Sequence, residues 1–271
     1  MRRRSFLASA LASTGLWLAP WARAETNGRA LALPAPLDAG QGWQTTFRDD
    51  FDDPQRFEKD WMKVRIAGDN VQTLRVPENA VVGGGTLDLE LDHAIGQEMP
   101  FTGGYVQTRS FRQRYGYFEC EMRIAAEEGV NNAFWMVSVP ETEGDHHFEL
   151  DVAEVKFPDD IQGTARLWRP ERQVVSGKTS FPDLHADFHR YGLLWGPEAF
   201  TFFFDDEAYF EAPNRFAHTP AQVRLSNAVA KFAGQHDGDV RGAATSIGHV
   251  AIYQRDDWAS WPAATSSGAM Q

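Results

Sequence analysis

Three carboxylates in one short stretch are the residues of this chain whose types and spacing most directly indicate chemistry. Residues 148–157 read FELDVAEVKF, and the acids are Glu149, Asp151 and Glu154. Side chains of a β-strand alternate between two faces, so Glu149 and Asp151 share a face and Glu154 has the opposite parity. In a regular strand Glu154 would enter the core, where an unpaired carboxylate costs several kcal/mol or stays protonated.

One extra residue in the strand removes this conflict. The apolar residues change parity together with the acids, because Leu150 and Val152 precede Ala153 and Val155 follows it. A β-bulge inserts one residue into a strand, and bulges are enriched beside active sites. The sequence therefore predicts a bulge at Val152-Ala153, which returns Glu154 to the face of the other two acids.

Three acids on one face are suited to cleaving a glycosidic bond. One carboxylate attacks the anomeric carbon while a second protonates the leaving oxygen. A third acid between them separates their pKa values, so that one is ionised and one protonated. Clustered carboxylates also bind calcium, and an exposed acidic strand needs no function at all. The apolar neighbours indicate a strand rather than an ion-wrapping loop, which favours the hydrolytic interpretation.

The rest of the chain predicts the elements that hold this strand. Short runs rich in β-branched and aromatic residues alternate with Gly and Asp turn signals, and no long helical periodicity is present. This pattern is typical of an all-β sandwich or barrel. We expect one domain over residues 40–256 and an irregular C-terminal tail over 257–271. The clearest predicted strands are residues 86–93, 115–124, 132–139, 191–196 and 200–206.

The N-terminus has the features of an export signal. Arginines precede a short apolar segment, and Ala22-Arg23-Ala24 matches the small-x-small pattern before a cleavage point. We expect a signal peptide over residues 1–24, and Arg3-Arg4 followed by Ser-Phe-Leu resembles the twin-arginine motif. The alternative is an amphipathic or membrane-anchoring helix. The signal predicts a periplasmic or secreted protein.

Charge and composition restrict the partners. The formal net charge is −12, and it becomes −16 without residues 1–24, which carry four arginines and no acid. Such a surface repels nucleic acid at long range, and a neutral substrate is the simpler expectation. No apolar run reaches the roughly 18 residues of a membrane helix. A sulfated or acidic galactan is a further candidate substrate, and five arginines that could bind it are interpreted as surface residues. They are Arg109, Arg112, Arg114, Arg166 and Arg169.

The single cysteine and the histidines do not indicate a metal or redox site. Cys120 alternates with polar residues in YGYFECEMRI and is predicted to be buried as a small hydrophobe. The adjacent pair His146-His147 would point to opposite faces of a strand, so we interpret it as a loop or strand-entry feature rather than a metal site. No Cys/His cluster has zinc spacing. The sequence thus predicts no required cofactor.

The six residues 149–154 resemble the bulged Glu-x-Asp-x-x-Glu signature of glycoside hydrolase family 16. Other stretches are similar to family strands in the same order, over about residues 43–255. They are Gly104–Thr108, Tyr115–Glu119, Asn132–Met136 and Phe188–Trp195. The resemblance implies a concanavalin A-like β-jelly-roll sandwich of two curved antiparallel sheets with a cleft. It also implies retaining endo-hydrolysis of β-linked polysaccharides, transglycosylation in some members, and a possible structural calcium.

The resemblance also implies roles for individual residues. Glu149 corresponds to the nucleophile, Glu154 to the general acid/base and Asp151 to the assisting acid between them. Five further residues are predicted to contact substrate. They are Trp135 and Glu119 at cleft-facing positions, Trp168 as a stacking platform, His147 where the family often has Trp, and Asn227 on an Asn-centred strand. For Trp168, core packing is an equal alternative. In the Asn-centred strand, Ala230-Lys231 replaces the usual Gly pair.

These observations converge on an exported endo-glycosidase acting on a β-linked polysaccharide, with β-glucan as the expected substrate. Two alternatives stay open, a transglycosylase on the same substrates and a non-catalytic carbohydrate-binding protein. Fold alone does not decide between them. Binding gives no reason to retain three acids and a bulge, which favours an enzyme.

Overall fold

Two antiparallel sheets stacked face to face build the described part of the chain. The computed structural model describes residues 33–96, 99–139, 146–236 and 238–259. The predicted signal peptide lies outside these ranges, as does the predicted tail from residue 260. Among the described residues, no helix is both long and apolar enough to span a membrane.

The first sheet has the order β17-β16-β15-β10-β19-β6-β5, with β1 also paired to β19. Its strands come from several separate parts of the sequence, and the chain crosses between the two sheets repeatedly. Their bounds are β1 Trp43–Asp49, β5 Ala80–Gly83, β6 Thr86–Glu90, β10 Gly116–Arg123, β15 His189–Trp195, β16 Ala199–Phe204, β17 Glu207–Pro213 and β19 Ala244–Arg255.

The second sheet has the order β14-β13-β12-β11-β18-β9-β2 and carries the three acids on its central strand β12. Its strands are β2 Trp61–Lys63, β9 Tyr105–Thr108, β11 Val130–Ser138, β12 His147–Lys156, β13 Asp160–Arg169, β14 Gln173–Ser180 and β18 Ala221–Val229. A small third sheet has the order β3-β4-β8-β7. Its strands are β3 Ile66–Ala67, β4 Thr73–Arg75, β7 Asp92–His93 and β8 Phe101–Gly103.

Helical segments are short and lie between strands. The helix α1, Pro54–Asp60, begins with Asp53 as its N-cap, whose carboxylate accepts from the amides of Gln55 and Arg56. The short helix α2, Asp256–Ala259, follows the last strand. Trp258 in α2 is buried against Trp43, so the ordered core extends past residue 256, beyond the predicted domain end. Three 3-10 turns cover Ala39–Gln41, Pro77–Asn79 and Lys231–Ala233.

The core lies between the two main sheets and follows the predicted alternation. Phe118, Cys120 and Met122 of β10 pack in one cluster with Phe134 of β11 and Leu150 of β12. Cys120 is fully buried, which confirms its interpretation as a small hydrophobe. Four of the five predicted strand segments correspond to single strands, whereas segment 86–93 divides at Leu91 into β6 and β7, which belong to different sheets. Burial of this apolar surface is the main force that holds the sheets together.

Candidate active site

The strand β12 carries the predicted bulge. Asp151 pairs with Trp135 of β11 and Ala153 pairs with Phe134, so Val152 has no partner residue on β11. On the other side, the register with β13 shifts between Asp151 and Glu154. Val152 and Ala153 are both buried, whereas Glu154 is partly exposed. The bulge is confirmed. The name carboxylate face is used below for the outer face of the second sheet, which carries Glu149, Asp151 and Glu154.

Glu149 is held by a cation from the neighbouring strand. Its Oε1 accepts a hydrogen bond of 2.7 Å from Nη1 of Arg166, which lies directly opposite on β13. Burial raises the pKa of Glu149, the charge of Arg166 opposes that rise, and the charge of Glu154 adds to it. Trp168 also donates to this carboxylate. Arg166 and Trp168 thus favour the ionised form that a nucleophile needs.

Asp151 lies deeper than the other two acids. Only 5% of its surface is exposed, and Oδ2 has no hydrogen-bond partner. Nη1 of Arg166 is 3.6 Å from this oxygen. Burial, then the charges of Glu149 and Glu154, raise the pKa of Asp151 well above its usual value. The raised pKa favours the protonated form of Asp151, which suits an assisting acid beside the nucleophile.

Glu154 lies on the far side of the bulge and is held by an amide. Nδ2 of Asn131 donates to its Oε1 at 3.0 Å. Its partners in the two flanking strands are Ala133 and Gln162. Because Ala133 is small and Glu154 is partly exposed, this carboxylate is accessible from solvent. An accessible carboxyl is what proton donation to a leaving oxygen requires.

Aromatic rings continue the carboxylate face to either side of the acids. Trp135 is partly exposed, stacks on Tyr105 with centroids 5.8 Å apart, and donates from Nε1 to Ser226 Oγ at 3.2 Å. Trp168 is 38% exposed, which excludes core packing for this ring. The guanidinium of Arg166 lies 4.9 Å from its centroid. An exposed indole face is suited to stacking on sugar, and the contact of both rings with substrate stays a prediction.

His147 begins β12, two residues before Glu149, as the strand entry predicted from the sequence. Its Nδ1 lies 3.2 Å from Ser138 Oγ, and the same hydroxyl accepts from the amide of Phe148. His147 is only partly exposed. It lies near the nucleophile in sequence, and its contact with substrate stays a prediction.

The structure does not bring Glu119 to this site. Glu119 lies on β10 of the first sheet and is 3% exposed. Its neighbours Phe118 and Cys120 point into the core, so Glu119 points outward from the first sheet, away from the second. There its Oε1 contacts Nε2 of His249 at 3.1 Å, and Tyr117 donates to Oε2. The cleft assignment from the family resemblance was wrong for this residue.

Asn227 is also placed elsewhere than predicted. On β18 it shares the inward parity of Leu225, and it is fully buried. Its Oδ1 accepts from the amide of Gly104, and its Nδ2 donates to the carbonyl of Leu89 at 2.6 Å. A Cβ on Gly104 would lie 2.8 Å from Leu89, so glycine permits this close approach. Asn227 therefore links the two sheets and does not contact substrate.

Sequence reasoning missed two arginines of the carboxylate face. Arg166 was interpreted as a surface residue, but it contacts both Glu149 and Asp151. Arg224 lies on β18 directly opposite Trp135, and its guanidinium is 4.8 Å from that ring. A signal for Arg224 was present, because it alternates with Val223 and Leu225 and so must face away from the core. The sequence does not show that Arg224 lies opposite Trp135, because the two strands are distant in the chain.

The alternative of a calcium site gains no support from the geometry. Within the described ranges, no group of three or more His, Cys, Asp and Glu side chains is arranged to hold a metal ion. The possible structural calcium stays a prediction. The site therefore consists of an Arg-bound carboxylate, a buried acid with a raised pKa and an amide-bound carboxylate, on a sheet face with exposed indoles. A β-sandwich with this arrangement belongs to the class of carbohydrate-active enzymes.

Comparison with known families agrees with that class. The model of glycosyl hydrolases family 16 matches residues 67–252, and the chain belongs to this family. A beta-glucanase of Rhodothermus marinus is 30% identical over 194 residues, which are 65% of this chain and 68% of the relative. The endo-1,3-1,4-beta-glycanase ExsH of Rhizobium meliloti is 32% identical over 58% of this chain, but the match spans only 35% of ExsH.

Solved structures give the same fold. The laminarinase of Rhodothermus marinus superposes with a TM-score of 0.70 at 25% identity, covering 79% of this chain and 98% of that one. The laminarinase catalytic domain of Thermotoga maritima has a TM-score of 0.70 at 20% identity, covering 79% and 98%. The jelly-roll prediction is confirmed, and the protein is a glycosidase of family 16.

Proposed function

We propose that this protein is an endo-acting, retaining β-glucanase that cleaves β-1,3 or mixed β-1,3-1,4 linkages. One observation carries the proposal: the bulge in β12 brings an Arg-bound Glu149, a buried Asp151 with a raised pKa and a solvent-accessible Glu154 to one face. The relatives of this chain include a beta-glucanase and an endo-1,3-1,4-beta-glycanase, which supports a glucan as substrate.

The roles follow from the environment of each acid. Glu149, ionised beside Arg166, attacks the anomeric carbon and forms a covalent glycosyl-enzyme. Glu154 donates its proton to the leaving oxygen and then removes a proton from the incoming water. Asp151 donates a hydrogen bond to Glu149 as charge leaves that carboxylate, and so stabilises both the free nucleophile and the intermediate. Trp135 and Trp168 offer surfaces on which sugar rings stack.

A substrate panel tests the activity. The purified protein is incubated with laminarin, lichenan, agar, carrageenan and xyloglucan, and reducing ends and product lengths are measured. We expect reducing ends from laminarin or lichenan, with oligosaccharides of several lengths early in the reaction, as internal cleavage gives. Release only from agar or carrageenan would contradict a glucan substrate. Products with a higher molecular mass than the supplied polysaccharide would indicate transglycosylation instead.

Azide rescue tests the stereochemistry. Glu154→Ala removes the proton donor and leaves space for azide, so added azide restores turnover of a substrate with a good leaving group. Retention requires a β-glycosyl azide as the product, because azide then attacks the covalent intermediate on the face that the leaving group left. An α-glycosyl azide would show inversion and remove the nucleophilic role of Glu149.

The proposal includes export from the cell. The support is the basic and apolar pattern of residues 1–24 with Ala22-Arg23-Ala24 before the expected cleavage. Arg3→Lys combined with Arg4→Lys keeps the charge and removes the paired arginines, so it should block export by the twin-arginine route. The measurement is the N-terminal sequence of protein from culture fractions. Export of the double variant at the normal level would favour the general secretory route.

A further inference from the structure

A group of guanidiniums lies on the carboxylate face of a chain that is acidic overall. Arg166 and Arg172 flank the Trp168 ring, and Arg224 lies between Tyr105 and Trp135. Arg75 of β4 lies 5.7 Å from the Tyr105 centroid. The formal net charge of the whole chain is −12, so this group of guanidiniums contrasts with the acidic composition of the protein.

These arginines differ in how their charge is balanced. Arg166 forms an ion pair with Glu149 at 2.7 Å and lies 3.6 Å from Asp151. Within the described ranges, neither Arg75 nor Arg224 lies within ion-pair distance of a carboxylate. Arg224 donates from Nη2 to Gln222 Oε1 at 3.4 Å and forms a hydrogen bond with Tyr105. The charge of Glu149 acts on Arg224 only from a greater distance.

Burial makes these unpaired cations costly. Both are mostly buried against aromatic rings, and the Nε of each has no hydrogen-bond partner. Burial lowers the pKa of both guanidiniums. Buried polar atoms are almost always paired in native proteins, and an orphaned charge calls for a partner. An incoming anion would supply the hydrogen bonds that the fold leaves unmade.

The position of Arg224 relates this cation to the reaction. Arg224 and Asp151 are both direct register partners of Trp135, one on each side. Two strand spacings, about 10 Å, therefore separate their backbones. A glycan chain that crosses the face over Trp135 would bring one of its sugar units to Arg224 while another unit lies over the acids.

We propose that Arg224, assisted by Arg75, forms an anion-binding subsite that selects β-glucans bearing carboxylate or sulfate substituents. This inference rests on the proposed glucanase function. The substituent of a sugar stacked on Trp135 accepts hydrogen bonds from the guanidinium of Arg224, since a planar fork of donors matches both anions. The aromatic rings on which the guanidinium lies fix its orientation, so little side-chain freedom is lost on binding.

The test compares laminarin with carboxymethylated and sulfated laminarin of the same chain length. For the wild type we expect kcat/KM on at least one anionic polymer to equal or exceed that on laminarin. Arg224→Met should lower the ratio of anionic to neutral kcat/KM about tenfold, the usual size of a lost charged hydrogen bond. Arg75→Met should lower it less. The two anionic polymers distinguish a carboxylate from a sulfate site.

Two controls separate binding from folding. Arg215→Met removes an exposed arginine outside this face and should leave the ratio unchanged. Arg224→Lys keeps the charge and should restore part of the ratio, with the thermal unfolding midpoint measured for each variant. Rising salt should increase KM for the anionic polymer in the wild type and do so less in Arg224→Met. An equal loss on all polymers would overturn the proposal, because the arginine would then only support the rings.

Failure of the glucanase function can be distinguished from failure of this subsite. If no polymer is hydrolysed, binding of the same three polymers to Glu149→Gln is measured by calorimetry. Tighter binding of an anionic polymer, weakened about tenfold by Arg224→Met in the Glu149→Gln background, would uphold the subsite alone. Equal affinity for the three polymers, or an unaffected anionic preference, would overturn the subsite.

Discussion

The outer faces of the two main sheets both carry acids, and they differ in how those acids are satisfied. On the first sheet, Glu119 and Glu121 of β10 both contact the ring of His249, at 3.1 and 3.6 Å. We call this the histidine face. On the carboxylate face, Asp151 Oδ2, Arg166 Nε and Arg224 Nε are buried without hydrogen-bond partners. Hydrogen bonds that are satisfied within the protein contribute to stability, whereas buried groups without a partner can form hydrogen bonds to a ligand.

The backbone of the strand that carries the acids also differs between the two faces. The bulge in β12 aligns its acids on one face, and the nucleophile and proton donor on that face are partly exposed. The strand β10 also has a register shift, between Glu121 and Met122, yet Glu119 stays almost fully buried. Acids on an outward strand face are therefore insufficient for catalysis. The bulge, which brings three carboxylates together, and the cation Arg166 beside them distinguish the carboxylate face from the histidine face.

The largest expected effect comes from exchanging one carboxylate on each face. Glu149→Gln removes the nucleophile and should lower kcat on laminarin by at least about 1,000-fold, as loss of a nucleophile does in other enzymes. Glu119→Gln keeps the shape on the histidine face and should leave kcat within about threefold of the wild type, since the acid is remote from substrate. Comparable losses in both variants would contradict the separation of the two faces.

The next effect concerns the bulge. Insertion of one alanine after Ala153 changes the parity of the residues that follow, turns Glu154 toward the core and should destabilise the protein by at least about 3 kcal/mol through a buried unpaired charge. Activity should be lost as well. Ala153→Gly keeps the register and serves as the matched control. Urea unfolding measures the free energies, and an insertion variant as stable as the control would exclude the strict strand register argued for Glu154.

A third prediction uses the cation beside the nucleophile. Arg166→Met removes the charge that opposes the burial-raised pKa of Glu149, so the pKa of Glu149 should rise further. A smaller ionised fraction at each acidic pH moves the acidic limb of the kcat/KM profile to higher pH. Arg166→Lys should restore part of the shift. An acidic limb that stays in place while kcat falls would mean that Arg166 acts on substrate instead.

The smallest effect is on the stability of the histidine face. Burial lowers the pKa of His249, but hydrogen bonds to Glu119 and Glu121 outweigh it, so the folded-state pKa lies above the usual value. The contact therefore contributes fully below the unfolded pKa of about 6.5 and is lost as pH rises through the folded value. His249→Gln should remove about 1–2 kcal/mol of this pH-dependent stability.

Urea unfolding from pH 5 to 9 measures the contribution of His249 to the free energy of unfolding. The difference in unfolding free energy between the wild type and His249→Gln should shrink as pH rises, while kcat at a fixed pH stays similar. A difference that is constant across this range would show that the ring contributes packing and no charge. A large fall in kcat would place the histidine face in the catalytic cycle.

The comparison also shows which residues a sequence could and could not place. The bulge and the common face of Glu149, Asp151 and Glu154 were predictable because polarity and parity change at the same residue. Trp135 alternates on β11 in the same way. Glu119 has a similar local pattern, and its misplacement arose because alternation reports only that a side chain points away from the core. It does not report which of two outer faces it reaches.

The roles of Asn227 and Arg166 also could not be predicted from alternation, although one residue is buried and the other faces outward. A buried polar residue with the parity of Leu225 is consistent with a contact between the sheets, but its partners Gly104 and Leu89 are distant in sequence. Arg166 has an ordinary outward position on β13, and only its register opposite Glu149 gives it a function. Pairing between strands remote in sequence depends on how the whole sandwich packs.

By itself, the sequence determined the all-β class, the inward alternation of the strands and the bulge that aligns three acids, because these depend on local parity and hydrophobic phase. The tertiary structure alone decided which acids face solvent, which arginine neutralises Glu149 and which arginines remain unpaired. The physical reason is that solvation and charge pairing depend on distances between strands, and these distances are fixed only when the two sheets have packed around their common core.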